Sequence, residues 1–263
     1  MTARESIAIV GVGCRFPDDA DGPDAYWRLL RSGGDAVTEF PADRADDIGI
    51  VRPDPGALGD FPLRGGFLRR VDRFEPAVFG IPAHEAPGMD PQQRLALEVA
   101  WEALEHAGYA PDSLDGTATG VYLGVSSSDY ARLRQLYGNP RDVDAHQLLG
   151  ERSYVAGRIS RALGLRGPSK VTDTGGSSSL VSVHEACQEL RDGGCDLALA
   201  GGVHLLLSPS ASPCWSAPAA FPRRAAAGRS TPPRTAAYGV RAPPWWCSSD
   251  SPRRCATATP CWR

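Results

Sequence analysis

The sequence predicts an α/β fold, because apolar runs typical of strands alternate with segments that have helical spacing. Val171–Thr174 and Cys195–Ala200 are short apolar runs bounded by turn residues, as in buried strands. Between them, Ser179–Arg191 places apolar residues three and four positions apart, as in a helix. A strand, a helix and a strand joined by short turns predict a right-handed crossover and a parallel pair of strands.

The clearest single element is a helix over Asp90–Ala107. Asp90 can accept hydrogen bonds from free N–H groups of the first turn, and Pro91 suits the first helical position. Gly108 stands just past the end, where a left-handed residue commonly stops a helix. Four side chains at helical spacing predict one apolar stripe that faces the core: Leu97, Ala100, Trp101 and Leu104.

The remaining elements follow from the same two patterns. Ile7–Val10 predicts a buried strand that ends in a tight turn at Gly11 and Gly13. Further segments predict a helix over Asp24–Arg31, a loop over Asp35–Pro62, a strand over Gly120–Val125 and a helical stretch that ends with Ser160–Leu165.

The bulk composition is that of a soluble globular protein. Of the 263 residues, 42% are hydrophobic and 22% are charged, which is enough for a folded core. The net charge of −3 gives no reason to expect a nucleic-acid or membrane partner. No apolar run is long enough to span a bilayer and no secretory signal precedes Ile7, so we expect a cytoplasmic protein. The seven cysteines lack paired spacing, which predicts free or buried thiols and no bound metal.

Residues 213–263 differ sharply from the rest of the chain. They contain eight arginines and one aspartate, a local charge of +7, whereas residues 1–212 carry a charge of −10. The same segment has nine prolines and four tryptophans but no leucine, isoleucine or methionine. Little aliphatic material and many breakers predict an irregular, disordered tail after a folded domain over residues 1–212.

A Gly-x-Gly pattern near the N-terminus invites comparison with dinucleotide-binding turns. Gly11 and Gly13 follow a predicted strand, but Phe16 stands where the third glycine would be. Pro17 follows, so no helix opens at the second glycine as such sites require. The pattern therefore favours a tight turn, and no nicotinamide cofactor is expected.

A predicted strand turns into a helix at a glycine- and serine-rich segment, Gly175-Gly176-Ser177-Ser178-Ser179. Free N–H groups at a helix start stabilise an anion and lower the pKa of a thiol, so such a junction suits a nucleophile. The segment does not match the Gly-x-Ser-x-Gly elbow of hydrolases, and a serine nucleophile would need a histidine base that the sequence does not reveal. From these residues alone, three serines that cap a helix are the better explanation.

Several spaced blocks of the chain form one recognisable pattern along residues 6 to about 212. The most specific block is Met89-Asp90-Pro91-Gln92-Gln93-Arg94, followed by Leu97-Glu98 and Trp101-Glu102-Ala103-Leu104. The other blocks are Ile7 to Pro17, Tyr26-Trp27 with Leu29-Leu30, Gly33-Gly34-Asp35, Gly65-Gly66-Phe67 through Phe79-Gly80-Ile81, Gly157-Arg158-Ile159-Ser160, Gly167-Pro168-Ser169 and Leu197 to Val203. In this order, the blocks resemble the ketosynthase (β-ketoacyl synthase) domains of modular polyketide synthases. The resemblance covers residues 6 to about 212 and corresponds to the N-terminal half of such a domain.

The resemblance implies a thiolase-like fold, a layered αβαβα sandwich of which this chain holds the N-terminal half. It also implies a homodimer and a partner acyl carrier protein whose phosphopantetheine arm carries the substrate, with no cofactor bound directly. In the family, an elbow cysteine takes the acyl chain as a thioester. Two histidines of the second half then assist decarboxylation of a malonyl unit and the Claisen condensation.

The resemblance breaks at the catalytic elbow. The family has Asp-Thr-Ala-Cys-Ser-Ser-Ser, whereas this chain has Asp173-Thr174-Gly175-Gly176-Ser177-Ser178-Ser179, so the nucleophile position falls on Gly176. Glycine has no thiol, and we therefore expect this chain to be catalytically deficient. Ser177 stands one position too late to replace the cysteine, and Cys187 lies at a core-packing position of the following helix.

None of the histidines matches the two catalytic histidines, which belong to the family's second half. His184 lies on the helix after the elbow, and His204 follows a glycine-rich turn. His84, His106 and His146 are interpreted as surface or hydrogen-bonded residues without a catalytic role.

The tail is interpreted as the product of a shifted reading frame that begins between Ala211 and Ser230. The family continues with Phe-Asp-Ala-Ala-Ala-Asp-Gly and later with Val-Val-Val-Leu. Read one nucleotide late in GC-rich codons, these stretches correspond to Ser230–Ala236 and Trp245–Ser248, and a third match covers Arg253–Trp262. Without its second half, the chain is expected to leave apolar strands such as Leu197 to Leu207 uncovered and to be poorly soluble.

Three alternatives stay open at this point. A parent protein with a glycine elbow could be a decarboxylating or carrier-docking module that lacks condensation. The chain could also be a non-enzymatic dimerising scaffold. Finally, the tail could be a natural disordered segment rich in arginine and proline.

Overall fold

The computed structural model describes residues 6–41, 64–137, 151–207 and 235–241. Within these ranges the strands are β1 (Ala8–Phe16), β2 (Ala20–Asp21), β3 (Thr38–Glu39), β4 (Arg64–Gly65), β5 (Thr119–Gly124), β6 (Ser169–Thr172), β7 (Leu197–Gly202) and β8 (Thr235–Arg241). The α-helices of the same ranges are α1 (Pro23–Ser32), α2 (Pro91–His106), α3 (Asp129–Tyr137), α4 (Val155–Ala162) and α5 (Ser178–Asp192). Short 3-10 turns lie at Pro76–Phe79, Ala86–Gly88, Pro111–Leu114, Arg152–Tyr154 and Gly175–Ser177.

A six-stranded mixed sheet forms the centre of the fold, with its strands in the order β2-β1-β8-β7-β5-β6, and β3 and β4 form a separate ladder. β5 pairs in parallel with β6 on one side and with β7 on the other. β8 runs antiparallel to both of its neighbours, β1 and β7. The predicted parallel orientation of the strands around α5 is confirmed, but β6 and β7 flank β5 and do not pair with each other.

Side chains alternate between the two faces of the sheet, and helices cover both faces. Val121 of β5 and Leu199 of β7 belong to the cluster that contains the apolar side chains of α2 and α4. Tyr122 and Ala200, one position further along, pack against α5 on the opposite face. This alternation is the period of two expected of strands, and it produces three layers in the order helix, sheet and helix. The predicted α/β class is confirmed.

The start and end of α2 agree with the sequence prediction. The Asp90 carboxylate accepts a hydrogen bond from the N–H of Gln92 at 2.8 Å, and a proline occupies the first helical position. Gly108 has a φ of +78°, as expected of the residue that stops the helix. The apolar stripe is buried except at Trp101, which is half-buried and packs edge-on against Phe79.

The predicted turn at Gly11 and Gly13 is wrong, because β1 continues through both glycines. A Cβ atom at Gly11 would collide with the carbonyl oxygen of Ala103, and one at Gly13 would collide with the carbonyl oxygen of Val99. Both carbonyl groups belong to α2, which therefore lies directly on the backbone of β1. The two glycines serve helix–strand packing and not a cofactor turn.

The prediction that Leu197 to Leu207 is left uncovered is also wrong. Every residue of β7 is buried, and so are Val203, Leu205 and Leu207 beyond it. The physical reason is that both faces of β7 are covered, one by α2 and α4 and the other by α5. Beyond β7, Leu205 and Leu207 pack with Leu68, Val71 and Leu133. The surface that stays open is the outer side of α5 itself, where Leu180 is 68% exposed. Poor solubility stays a prediction, now based on this helix surface.

One regular element lies within the tail that was predicted to be irregular. β8 fills the gap between β1 and β7, so that backbone N–H and C=O groups along both facing edges find partners. Pairing of this kind needs backbone groups only, and residues 235–241 contain no proline. The other residues of the tail lie outside the described residues, as do residues 42–62 of the predicted loop. The reading-frame hypothesis and the domain boundary at residue 212 therefore stay predictions.

Candidate active site at the elbow before α5

The elbow joins the end of β6 to the start of α5, at the carboxyl ends of the parallel strands. After β6, the 3-10 turn Gly175–Ser177 leads directly into the first helical residue, Ser178. This helix start presses on the last residues of β5 and β7. A Cβ atom at Gly124 would lie 2.5 Å from the carbonyl carbon of Ser178, and one at Gly202 would lie 2.7 Å from the Cβ of Ser179. Two glycines at strand ends therefore determine where α5 begins.

Hydroxyl groups stabilise the elbow turn from within. The Ser178 hydroxyl accepts the N–H of Thr174 at 2.9 Å and donates to the carbonyl oxygen of Gly175 at 2.7 Å. The Ser177 hydroxyl donates to the carbonyl oxygen of Thr174 at 2.9 Å. Ser126, from the loop after β5, places its hydroxyl 3.0 Å from that of Ser178. These serines therefore stabilise the turn before α5, whereas the sequence had suggested that they cap the helix N–H groups.

Gly176 lies at the exposed tip of this turn. Its φ is outside the left-handed region, and a Cβ atom placed on it would meet no heavy atom within 4 Å. Gly175, by contrast, has a φ of +65°, which costs an L-residue roughly 1–2 kcal/mol. The elbow can therefore accept a side chain at position 176 without strain, and it disfavours one at position 175.

An ion pair fixes the strand side of the elbow. One carboxylate oxygen of Asp173 accepts the N–H of Gly175 at 3.1 Å, and the other lies 2.7 Å from Nη1 of Arg152. The same guanidinium nitrogen donates to the carbonyl oxygen of Ser126 at 3.2 Å. The hydrogen bond from Gly175 lowers the pKa of Asp173 most, followed by that from Ser126, and the charge of Arg152 lowers it further. Sequence reasoning missed Arg152, which belongs to a different element and precedes Asp173 by 21 residues.

Among the described residues, neither Ser177 nor the three cysteines offers an activated nucleophile in place of a side chain at position 176. The Ser177 hydroxyl is turned back toward the turn. Burial raises the pKa of Cys14 to about 11 and that of Cys195 to about 12, and it also raises the pKa of Cys187. All three are free thiols. A buried, protonated thiol is a poor nucleophile, so these cysteines are suited to packing.

The histidines of the described ranges differ in their surroundings. Nδ1 of His106 accepts the N–H of a β1 residue at 2.9 Å, which confirms it as a hydrogen-bonded surface residue. Burial lowers the pKa of His204. His84 and His184 are exposed, and His146 lies outside the described residues.

The family-specific block at the start of α2 forms a buried polar network next to the elbow. The side-chain oxygen of Gln92 accepts the hydroxyl of Ser127 at 3.2 Å and the N–H of Leu205 at 3.3 Å. Its amide nitrogen donates to the carbonyl oxygen of Ser127 at 3.1 Å and to Asp90 at 3.3 Å. Burial raises the pKa of Asp90 to about 6. The network holds the loop after β5, from which Ser126 reaches the elbow.

Two clefts open elsewhere on the described surface. One is lined by charged side chains that include Arg15, Arg69 and Glu98, and the other is lined in part by Phe74 and Tyr130. Neither cleft includes an elbow residue. Across the described ranges, no cluster of three or more histidine, cysteine, aspartate or glutamate residues is arranged to hold a metal ion. In the same part of the chain, no helix has the length and apolar character needed to cross a bilayer.

Comparison with known proteins shows to which family this chain belongs. The profile of the family described as "Beta-ketoacyl synthase, N-terminal domain" matches residues 4–240. This chain belongs to the beta-ketoacyl synthase family. The match continues past residue 212, where the resemblance visible in the sequence stops, and it includes most of β8.

The curated relatives of this beta-ketoacyl synthase chain include large polyketide synthases. The chain is 49% identical over 214 residues to a type I phenolphthiocerol synthesis polyketide synthase of Mycobacterium marinum. The aligned region covers 79% of this chain and 10% of that protein. It is also 50% identical over 208 residues to erythronolide synthase EryA2 of Saccharopolyspora erythraea. Here the aligned region covers 78% of this chain and 6% of that protein. The chain therefore spans only a small part of the relatives it matches.

Solved ketosynthase structures share its fold. The oxazolomycin ketosynthase domain OzmH KS7 of Streptomyces albus JA3453 is 39% identical, with a TM-score of 0.65 over 78% of this chain and 36% of that chain. The ketosynthase from module 6 of the bacillaene synthase of Bacillus subtilis 168 is 35% identical, with a TM-score of 0.63 over 78% of this chain and 32% of that chain. The predicted thiolase-like fold and the assignment to the N-terminal half of a ketosynthase are confirmed.

Proposed function

We propose that this beta-ketoacyl synthase chain is the acyl-accepting half of a polyketide ketosynthase, and that its glycine elbow prevents it from forming the acyl-enzyme. One observation carries the proposal. Gly176 occupies an open position with unstrained backbone, immediately before the N-terminus of α5, but it has no side chain. The intact reaction that we assign to the family member is acyl transfer followed by decarboxylative Claisen condensation on an acyl carrier protein.

The chemistry of the first step explains why the glycine matters. A cysteine thiolate attacks the carbonyl carbon of an acyl thioester on the phosphopantetheine arm of the carrier protein. The bond from this carbon to the carrier sulfur breaks, the carrier leaves as a thiol after taking up a proton, and the acyl group stays on the enzyme as a new thioester. Gly176 offers no sulfur for this step. Condensation, which consumes the acyl-enzyme, then has no substrate.

The rest of the elbow retains features that suit an anionic nucleophile. α5 has 15 residues, and the partial positive charge of its N-terminus lies next to position 176. The guanidinium of Arg152 approaches the same turn through Asp173. These two features support the view that, at the elbow itself, only the side chain of position 176 is missing, while the surrounding turn remains that of a ketosynthase.

The proposal includes partners and a location. We expect an acyl carrier protein that carries the phosphopantetheine arm, no cofactor bound directly, a homodimer and a cytoplasmic location. An open edge of the sheet supports dimer formation: β6 is the last strand, and its first two residues, Ser169 and Lys170, are exposed. Such an edge can pair with a strand of a second chain. Because the matched proteins are synthases, nothing in the comparisons favours the scaffold alternative.

Mass measurement tests the proposal. The chain and its Gly176→Cys variant are incubated with an acyl-pantetheine thioester, and the peptide that contains position 176 is isolated. We expect no acyl group on this peptide of the parent chain and one acyl group on that of Gly176→Cys. Gly176→Ala, which adds a Cβ atom without a thiol, is the matched control and stays unmodified.

Two outcomes would contradict the proposal. One is an acyl group on this peptide of the parent chain. The other is an unmodified Gly176→Cys variant whose circular dichroism spectrum equals that of the parent. Restricting the measurement to one peptide matters because the chain has seven other cysteines.

A further inference from the structure

The contacts of Arg152 add little to the stability of the fold, although its guanidinium group has several partners. Its side chain is 42% exposed and that of Asp173 is 38% exposed, and ion pairs with this exposure contribute at most about 1 kcal/mol. Yet one guanidinium nitrogen reaches two acceptors in two different segments, the Asp173 carboxylate at 2.7 Å and the carbonyl oxygen of Ser126 at 3.2 Å. This arrangement orients neighbouring groups more than it stabilises the fold.

The contacts form a chain that leads to the nucleophile position. Arg152 holds one oxygen of Asp173, and the other oxygen accepts the N–H of Gly175. Gly175 is the residue before position 176, and its left-handed backbone sets the direction of the next residue. On the other side, Ser126 contacts the Gly175 carbonyl oxygen at 3.3 Å. The guanidinium therefore connects to the two segments that hold Gly175.

Other charged groups around the elbow are engaged in contacts of their own. Glu185 of α5 accepts the hydroxyl of Thr172 at 2.9 Å. Lys170 of β6 lies 3.6 Å from Glu189. Among charged side chains, only Arg152 contributes to the lowered pKa of Asp173.

We propose that Arg152 is a positioning residue for the elbow: by holding Asp173 and the Ser126 carbonyl together, it orients position 176. The inference rests on the proposed function of position 176 as the acyl-accepting site. An arginine suits this role because its planar guanidinium presents several donors in a fixed geometry, whereas a lysine presents a point charge on a flexible stem.

The experiment uses the reactivity of a thiol placed at position 176. In the Gly176→Cys background, iodoacetamide alkylates the new thiol as the thiolate displaces iodide, and the rate is followed in the peptide that contains this position between pH 6 and 9. The variants are Arg152→Gln, Asp173→Asn, both together, and Arg152→Lys. The matched control is Arg70→Gln, because Arg70 forms a comparable half-exposed pair with Asp72 at 2.8 Å.

We expect Arg152→Gln and Asp173→Asn each to slow alkylation at pH 7 by about threefold, because both loosen the same turn. Loss of the Arg152 cation also moves the pH profile upward, whereas loss of the Asp173 anion does not. The double variant is no slower than either single variant. Arg152→Lys recovers less than half of the lost rate, Arg70→Gln changes nothing, and the melting temperature is the same in all variants.

Three results would overturn the inference: an unchanged alkylation rate in Arg152→Gln, additive effects in the double variant, or the full alkylation rate in Arg152→Lys. The last result would show that the positive charge alone is responsible. Alkylation needs a thiol but no acyl donor, so its outcome is independent of acyl transfer. Dependence on Arg152 together with failed acylation would refute the proposed function and leave the positioning role standing.

Discussion

The starts of α2 and α5 both lie near the carboxyl ends of the parallel strands, but one is buried and the other is exposed. At α2, Asp90 is 1% exposed and caps the helix, and Gln92 bonds to the loops that follow β5 and β7. At α5, Gly176 is exposed, and a Cβ atom on it would meet no heavy atom of the described residues within 4 Å. The buried start therefore fixes the architecture, whereas the open start is the position that we propose as the acyl-accepting site.

The largest expected effect tests how firmly the start of α5 is fixed. Gly124→Ala places a Cβ atom 2.5 Å from the carbonyl carbon of Ser178 and 2.6 Å from the backbone nitrogen of Ser179. Because backbone atoms cannot move aside, we expect the free energy of unfolding to fall by about 3 kcal/mol, as in overpacked cores. Urea denaturation measures it, with Gly176→Ala as the control. A Gly124→Ala chain as stable as the parent would show that the strand-end glycines do not place the elbow.

The pH dependence of the free energy of unfolding tests the buried start of α2. Burial raises the pKa of Asp90 to about 6, from 3.8 in the unfolded chain, so the folded state favours the protonated carboxyl. Its contribution to stability is full below pH 3.8 and is lost as the pH rises through 6. Asp90→Asn keeps a capping oxygen but does not titrate.

We therefore expect Asp90→Asn to gain about 2 kcal/mol in free energy of unfolding, relative to the parent, between pH 4.5 and pH 7.5. Urea denaturation of both chains at the two pH values measures this difference. A difference between variant and parent that stays constant with pH would refute the assignment of a raised pKa to Asp90.

The sequence predicted those parts of the fold that local patterns encode. The cap and stripe of α2 follow from residues within a few positions of one another, and so does the alternation of β5 and β7. The role of Gly11 and Gly13 was mistaken because it depends on α2, some 90 residues later, whose carbonyl groups at Val99 and Ala103 lie against the strand. Local sequence cannot distinguish a glycine that opens a turn from one that admits a helix.

The candidate site likewise contains residues that the sequence indicated and residues that it did not. Gly176 was singled out because it departs from a family motif, and its role as the acyl-accepting position stays a prediction. Arg152 carried no signal, since an arginine before a helix is common and its partner Asp173 belongs to another element. The network around Gln92 was visible as a family signature, but its purpose emerges only when Ser127 and Leu205 are brought to it.

The smallest expected effect separates the two glycines of the elbow. Gly176→Ala restricts the unfolded chain and meets no atom in the folded one, so we expect a gain of about 0.5 kcal/mol in free energy of unfolding. Gly175→Ala places a Cβ atom on a left-handed backbone and is expected to lose about 1 kcal/mol. Paired thermal melts compare them. Equal effects, or the reverse order, would refute the assigned backbone conformations.

The proposed function depends on one claim: the elbow directs position 176, and not its neighbour, at an incoming acyl donor. Single-turnover acyl transfer from an acyl-pantetheine thioester to Gly176→Cys and to Ser177→Cys measures this directly. The Ser177 side chain is turned back toward Thr174, so we predict transfer at least about tenfold faster to the thiol at position 176. Equal rates, or faster transfer to the thiol at position 177, would contradict the claim.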